Sequence, residues 1–311
     1  MSNSDGRDVM LAEVLEGLSK PQKTLPSKYF YDEKGSKLFD DITHLEEYYP
    51  TRTEWKILKS SVHEIGEYLG EDVLLIEPGS GSSAKTRVLL DNLNSICCYI
   101  PIDISGDYLQ NVGEKLRSEY PKIQILPLQA DYTQPFNLPR SSPDARKIVF
   151  FPGSTIGNFK IETVNRFLKV ISEIAGEDGA FLIGVDLKKD KDIMEAAYND
   201  SKGVTAAFNK NILQHINNVL NSDFDVSRFE HKALWNAGKS RIEMHLVCLQ
   251  DHDVKVNGTT ISFKKGESIH TENSHKYSVE DFRKVVSPWF EVKKVWTDDE
   301  ELFSVQYLEP N

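Results

Sequence analysis

The stretch "VLLIEPGSGSSAKTRVLL", residues 73–90, decides the fold, because an apolar run leads into glycines and then into a helical pattern. Glycines let backbone N–H groups approach a ligand, and the N-terminus of the following helix favours negative groups. The stretch therefore predicts a nucleotide-type ligand bound where a strand ends. On its own it does not say which one.

Three ligand templates fit this stretch. As Gly79-x-Gly81-x-x-Ala84 it matches the dinucleotide fingerprint, and as Gly79 followed by Ala84-Lys85-Thr86 it matches a phosphate loop with alanine in place of the second glycine. As Glu77-x-Gly79-x-Gly81, an acid at a strand end before glycines, it suits S-adenosylmethionine. The neighbouring segments must separate these possibilities.

Length and charge narrow the class of protein. The chain has 311 residues, which is long enough for one large domain or two smaller ones. Its net charge of −11 disfavours nucleic-acid and anionic-membrane partners. It has neither a secretory leader pattern nor an apolar run approaching the roughly 20 residues that span a bilayer. We therefore expect a cytoplasmic protein, and we expect it to be a monomer.

The pattern after residue 73 predicts an α/β fold. Apolar runs alternate with helical spacing as far as residue 186, which indicates βαβ units and a Rossmann-like, mainly parallel sheet. The last segment, "EVKKVWTDDEELFSVQYLE", predicts an antiparallel hairpin that returns to the edge of this sheet. Before the first strand, Thr51-x-x-Glu54 predicts a capping box for a helix whose apolar residues begin at Trp55.

A second α+β unit interrupts this pattern. Residues 189–230 predict two helices and 232–272 predict antiparallel strands, with Asn257-Gly258 as a hairpin turn. We expect residues 53–188 with 279–311 to form a cofactor-binding domain. Residues 1–52 with 189–278 are expected to form a substrate domain.

Acids at successive strand ends favour one of the three ligands. Asp103 and Asp131 follow the next two predicted strands, and Tyr132 adds an aromatic ring suited to an adenine. Together with Glu77 these acids would repel a pyrophosphate but attract the cationic groups of S-adenosylmethionine. Asp103 would also suit the ribose of NAD, and Asp186 could hold magnesium for a phosphate loop. The dinucleotide and phosphate-loop interpretations therefore each retain one residue in their favour.

Several motifs, in order along nearly the full chain, resemble the histidine-specific Nα-methyltransferases of ergothioneine biosynthesis. They are "KYFYDEKGSKLFDDITHLEEYYPTRTE" at 28–54, "EPGSGSSAKTR" at 77–87, "PGSTIGNF" at 152–159, "AAYNDSKGVTAAFNKNIL" at 196–213, "RIEMHL" at 241–246 and "TENSHKYS" at 271–278. The resemblance implies a class I methyltransferase fold. It also implies three methyl transfers from S-adenosylmethionine to the α-amine of L-histidine, which give hercynine and S-adenosylhomocysteine.

The resemblance also implies the residues of the site. The cofactor residues would be Gly79, Gly81, Lys85, Asp103, Asp131 and Tyr132, and the strand-end pattern described above adds Glu77. The amino-acid end of the substrate would be held by Tyr31, Gly153, Asn158 and Tyr198, with Tyr31 and Asn158 as the catalytic pair. The imidazole would be held by Tyr48, Met244, Glu272 and Ser274. Pro78, Pro152 and Tyr132 depart from what we expect of this family and bear on the cofactor contacts.

The chemistry of these residue types agrees with that assignment. Glu272 and Ser274 lie two apart and so share one face of a strand, where they could bond both imidazole nitrogens. Phe39 belongs, with Tyr31 and Tyr48, to an aromatic cluster whose ring faces would tolerate a methylated ammonium. The alternative substrate is another aromatic amino acid or an indole derivative.

We expect no metal. His245, Cys248 and His252 are the residue types that bind zinc, but strand alternation puts the first two on opposite faces and no fourth ligand is evident.

Overall fold

The computed structural model describes residues 3–81, 83–104, 106–140 and 143–311, apart from the side chains of 3–5, 107 and 108. The chain divides into two compact units. Unit 1 consists of Met1–Tyr49 and Lys189–His275, and unit 2 consists of Pro50–Lys188 and Lys276–Asn311. The sequence placed these divisions after residues 52, 188 and 278.

The α-helices, in chain order, are α1 (Asn3–Leu18), α2 (Glu33–Thr43), α3 (Tyr49–Leu69), α4 (Thr86–Asn92), α5 (Gly106–Glu119), α6 (Ile161–Ala175), α7 (Lys191–Ala196), α8 (Val204–Leu220) and α9 (Val279–Val286). Within the described part of the chain, none of these is both long and apolar enough to cross a bilayer. The strands are β1 (Lys23–Thr24), β2 (Val73–Pro78), β3 (Ile96–Asp103), β4 (Gln124–Ile125), β5 (Leu128–Gln129), β6 (Arg146–Phe151), β7 (Ala180–Asp186), β8 (Phe229–Asn236), β9 (Arg241–Cys248), β10 (His252–Val256), β11 (Thr259–Phe263), β12 (Ser268–His275), β13 (Phe290–Thr297) and β14 (Phe303–Pro310).

Unit 2 is built on one sheet with strand order β13-β14-β7-β6-β2-β3-β4, and β5 also pairs with β3. The strands from β2 to β7 pair in parallel, whereas β14 runs antiparallel to both of its neighbours. The predicted Rossmann-like sheet with an antiparallel C-terminal hairpin is therefore confirmed. Every residue of β2 is buried, because helices cover both faces of a parallel sheet.

The chain order reverses at β2, which lies between β3 on one side and β6 on the other. In open α/β sheets, ligands bind beyond the carboxyl ends of the strands at such a reversal. The glycine loop follows β2 directly, so the fold places it at the expected binding position.

Unit 1 contains a sheet with order β1-β12-β9-β8 and a separate hairpin of β10 and β11. Asn257 and Gly258 form the turn of this hairpin with φ values of 46° and 88°, as the sequence predicts. Helix α8 packs against α2 and against β8. The prediction of a second α+β unit is thus confirmed in its architecture.

The predicted capping box at Thr51 and Glu54 is wrong. Helix α3 already begins at Tyr49, so Glu54 lies beyond its first turn. The buried face of α3 carries Leu58, Val62, Ile65 and Leu69, while Trp55 is only partly buried. Glu54 is spaced four residues before Leu58 and is itself buried, so it replaces Trp55 as the first member of that face.

Candidate functional site

The glycine loop turns sharply after β2. Gly79 and Gly81 have φ values of 69° and 50°, in the left-handed region that favours glycine. The N–H groups of Gly79 and Ser80 donate to the carbonyl of Ile102 at 2.7 and 3.0 Å, which ties the loop to the neighbouring strand β3. A side chain on Gly79 would stand 3.2 Å from the ring and hydroxyl of Tyr132. The loop and the Tyr132 ring are therefore held in close approach.

Glu77, near the end of β2, lies buried next to this loop. Its carboxylate is buried and accepts a hydrogen bond from the hydroxyl of Tyr99, which also lies 2.8 Å from the hydroxyl of Ser83. Burial raises the pKa of the Glu77 carboxyl to about 7, although its hydrogen bonds and the charge of Lys85 oppose that shift. Of the three predicted strand-end acids, Glu77 is thus the one that faces the interior.

The carboxyl ends of β3 and β5 bring together Asp103, which ends β3, and Asp131 and Tyr132, which follow β5. Burial, followed by the charges of Asp103 and Asp131, raises the pKa of the Tyr132 hydroxyl well above its usual range. The Tyr132 ring also packs edge-on to Phe151, with centroids 5.9 Å apart. Asp131 closes its own turn by accepting from the N–H and hydroxyl of Thr133, at 2.9 and 2.6 Å. Two carboxylates beside an aromatic ring and a glycine loop fit the hydroxyl and amino groups of an adenosyl ligand.

Lys85 is held by a residue that the sequence did not assign to the site. Its ammonium group is paired with the carboxylate of Glu54, whose side chain is fully buried. The same carboxylate accepts the N–H of Gly153, at 3.0 and 2.9 Å to its two oxygens. Lys85 retains further N–H groups for a ligand, since an ammonium has three. The sequence feature that could have identified Glu54 is its spacing, which puts an acid on the apolar face of a helix.

The loop after β6 carries Gly153 and ends in a 3-10 turn, Thr155–Asn158, with Asn158 half-buried. The hydroxyl of Ser154 accepts the backbone N–H of Asp186 at 2.9 Å, which attaches this loop to the end of β7. The Asp186 carboxylate pairs with Lys276 at 2.5 Å, and both side chains are buried. Asp186 therefore has an internal cation as its partner, and the phosphate-loop alternative loses its magnesium ligand.

In unit 1, predicted aromatic residues form a chain of edge-to-face contacts. Tyr31 contacts Phe39, Phe39 contacts Tyr48 and Tyr48 contacts Tyr198, with ring centroids 5.7, 6.4 and 6.1 Å apart. Tyr31 is 45% exposed, whereas Phe30 and Tyr49 are buried. Phe208 on α8 contacts both Tyr31 and Phe39, and no sequence pattern distinguishes it from the other apolar residues of that helix.

Three of the four predicted imidazole ligands lie on the sheet of unit 1, and the fourth, Tyr48, precedes α3. Glu272 on β12 is the cross-strand partner of Met244 on β9, so the two side chains share a face. Ser274, two residues further along, is on that face too, and its hydroxyl accepts the Tyr198 hydroxyl at 2.8 Å. Unit 1 thus brings together seven of the predicted substrate residues: Tyr31, Phe39, Tyr48, Tyr198, Ser274, Glu272 and Met244.

Glu243, His245 and His270 are the group in the described part of the chain whose side chains could suit a metal, with ligand atoms within 4.8 Å of one another. The imidazole rings of His245 and His270 are stacked, with centroids 4.8 Å apart and planes 17° apart. The Arg241 guanidinium forms a salt bridge with the Glu243 carboxylate, with nitrogen and oxygen 2.5 Å apart. Of the trio considered from the sequence, only Cys248 and His252 contact each other, at 3.5 Å. The absence of a metal therefore stays a prediction from the sequence.

Comparisons with known proteins agree on one family. The model of the family described as "Histidine-specific methyltransferase, SAM-dependent" matches residues 10–310. Histidine N-alpha-methyltransferase of Mycolicibacterium smegmatis is 40% identical, over 88% of this chain and 86% of its own, and its namesake from Mycobacterium tuberculosis is 39% identical, over 88% and 85%. Ergothioneine biosynthesis protein 1 of Schizosaccharomyces pombe is 29% identical over 84% of this chain, which spans 35% of that longer protein.

Proposed function

Because the chain belongs to the histidine-specific, S-adenosylmethionine-dependent methyltransferase family, we propose that it methylates the α-amine of L-histidine three times. The product would be hercynine, the trimethylammonium betaine from which ergothioneine is made. The relatives named for histidine methylation and for ergothioneine biosynthesis support this assignment over an indole-type substrate.

The observation that carries the choice of substrate is the common face of Glu272, Ser274 and Met244. A carboxylate can accept an imidazole N–H, and a hydroxyl can bond the second ring nitrogen. Tyr198 fixes the Ser274 hydroxyl and so sets the distance between the two polar groups. A site that hydrogen-bonds both ring nitrogens discriminates against phenyl and indole rings, because its own buried polar groups would be left unpaired.

S-adenosylmethionine, when bound, supplies the electrophilic methyl group. In unit 2, Asp103 would accept the ribose hydroxyls, Asp131 and Tyr132 would take the adenine, and Lys85 would take the carboxylate of the methionine part. Gly79 and Gly81 would let the backbone lie close beneath the sulfonium end. These assignments rest on the shared position of the residues beyond the carboxyl ends of β2, β3 and β5.

In each round the amine nitrogen forms a bond to the methyl carbon while the carbon–sulfur bond breaks, and one proton leaves the nitrogen. The α-amine must be neutral to react, yet it is largely protonated at neutral pH. Tyr31 is half-exposed and can pass a proton to solvent, while Asn158 can hold the amino-acid end without adding charge. Catalysis on this account is mainly positioning.

The aromatic chain of Tyr31, Phe39 and Tyr48 suits the later rounds. The amine becomes bulkier and finally carries a permanent positive charge. Ring faces attract such a cation by about 0.5–2 kcal/mol each and tolerate its methyl groups.

The proposal is tested by offering the protein isotopically methyl-labelled S-adenosylmethionine with each amino acid in turn. We expect label in histidine. Preferential labelling of tryptophan would instead support the alternative, as would a Glu272→Ala variant with parental activity. Thermal stabilisation by NADH or Mg-ATP, but not by S-adenosylhomocysteine, would contradict the cofactor assignment. The cytoplasmic location, the monomeric state and the independence of metal remain predictions from the sequence.

A further inference from the structure

Glu54 is an acid in a position where a helix normally carries an apolar residue. It lies on the buried face of α3, its side chain is fully buried, and it is too far from Tyr49 to cap the helix. Burying a carboxylate is unfavourable unless a cation and hydrogen-bond donors compensate it. The free energy of folding alone therefore does not account for an acid at this position.

The two partners of Glu54 come from the two loops that the proposed function uses. Lys85 follows the glycine loop after β2, and Gly153 follows β6, the neighbouring parallel strand. A side chain on Gly153 would stand 3.4 Å from the Lys85 ammonium, so the two loops approach each other directly at this carboxylate. Glu54 is the group that bonds to both.

The sheet beneath leaves space for this carboxylate. A Cβ atom on Gly184 of β7 would stand 2.0 Å from an oxygen of Glu54. Glycine at 184 therefore permits the carboxylate to reach both loops, since any larger residue would displace it. Helix α3, strand β7 and the loops after β2 and β6 thus surround the buried Glu54 carboxylate.

We propose that Glu54 is a positioning residue, which fixes the Lys85 ammonium and the Gly153 loop relative to each other. The inference rests on the proposed function, in which Lys85 serves the cofactor and Gly153 the amino acid. Without the carboxylate, the ammonium group and the Gly153 N–H would each lose their shared acceptor, and the two loops would move independently.

Glu54→Gln tests this directly, because the amide keeps the shape and one acceptor oxygen but lacks the charge. The same helix offers a matched control: Glu64 also bonds one ammonium and one N–H, from Lys294 at 2.5 Å and from the Trp296 indole at 2.7 Å, but away from both loops. We expect E54Q to raise the Kd for S-adenosylhomocysteine and the KM for histidine by about 10-fold each, with a smaller change in kcat. E64Q should leave all three at parental values.

A merely structural role would give a different result. Partial unfolding of E54Q would lower the apparent kcat and leave the Kd and KM of the folded fraction unchanged, and that outcome overturns the proposal. If E54Q does not fold, Glu54→Asp keeps the charge but is one methylene shorter, and parental Kd and KM in E54D would equally overturn it. Binding of S-adenosylhomocysteine is measured without an acceptor, so a parent that binds it but fails to methylate histidine would refute the proposed function and leave the Kd comparison valid.

Discussion

The proposed cofactor residues in unit 2 and the proposed substrate residues in unit 1 are brought together in contrasting ways. In unit 2 the proposed cofactor residues lie at or after the carboxyl ends of parallel strands of one sheet, so the strand ends bring them together. In unit 1 they come from α2 and the segment before it, from the segment before α3, from the turn after α7 and from two strands. Ring contacts join the aromatic members, and a hydrogen bond joins Tyr198 to Ser274. The first arrangement follows from a local rule, whereas the second depends on packing between distant segments.

The largest effect is expected where unit 2 buries a complete ion pair. Lys276→Met would leave the buried Asp186 carboxylate without its cation, which should lower the free energy of unfolding by about 3–5 kcal/mol. Urea denaturation measures this. Lys264→Met removes an exposed partner of Asp251 in unit 1 and is expected to leave the midpoint unchanged. Equal loss in the two variants would show that burial of the pair is unimportant.

The Glu272→Ala variant tests whether substrate binding in unit 1 can be impaired without a change in cofactor binding in unit 2. Loss of a charged hydrogen-bond acceptor for the imidazole should lower kcat/KM for histidine by about 100-fold. The affinity for S-adenosylhomocysteine should not change, because its proposed ligands lie in unit 2. Glu230→Ala, an exposed acid on the same sheet, serves as the control. A variant with parental kcat/KM would remove Glu272 from the imidazole site.

One buried group in each unit should contribute to stability with opposite dependence on pH. Burial raises the pKa of Glu77 from 4.5 to about 7, so its contribution to stability is full below about pH 4.5 and is lost as the pH rises to about 7. Burial and then the charge of His245 lower the pKa of His270 from 6.5 to about 4. Its contribution is full above about pH 6.5 and is lost as the pH falls to about 4.

Glu77→Gln should therefore become more stable relative to the parent as the pH rises from about 5 to about 8, by about 2 kcal/mol. His270→Gln should gain a similar amount as the pH falls from about 6.5 to about 4. Urea titrations across this range give both differences. Profiles that run parallel to the parent would contradict the buried environment of either group.

The smallest effect is expected for Asp103→Ala. Loss of the acceptor for the ribose hydroxyls should raise the Kd for S-adenosylhomocysteine by about 10-fold, or about 1.4 kcal/mol. The KM for histidine should change less, which is the converse of the Glu272 result. Isothermal titration of the two variants tests this, and unchanged cofactor affinity would place Asp103 outside the site.

The sequence predicted unit 2 better than the residue contacts of unit 1. The sheet of unit 2 and the position of its glycine loop were predictable, because apolar runs and glycines are local signals. Glu54 was misread as a cap, because a short motif does not show where a helix begins. The proposed substrate residues rest on the family resemblance, since no local pattern indicates that Tyr198 contacts Ser274, 76 positions away in the chain. Phe208 was missed for the same reason.

The most direct test of the central claim is the position and number of the transferred methyl groups. With excess S-adenosylmethionine and L-histidine, the account predicts a product that carries three methyl groups on the α-nitrogen and an unmodified imidazole, as read by mass spectrometry and proton NMR. A product methylated on a ring nitrogen, or no transfer to histidine alongside transfer to another amino acid, would contradict it.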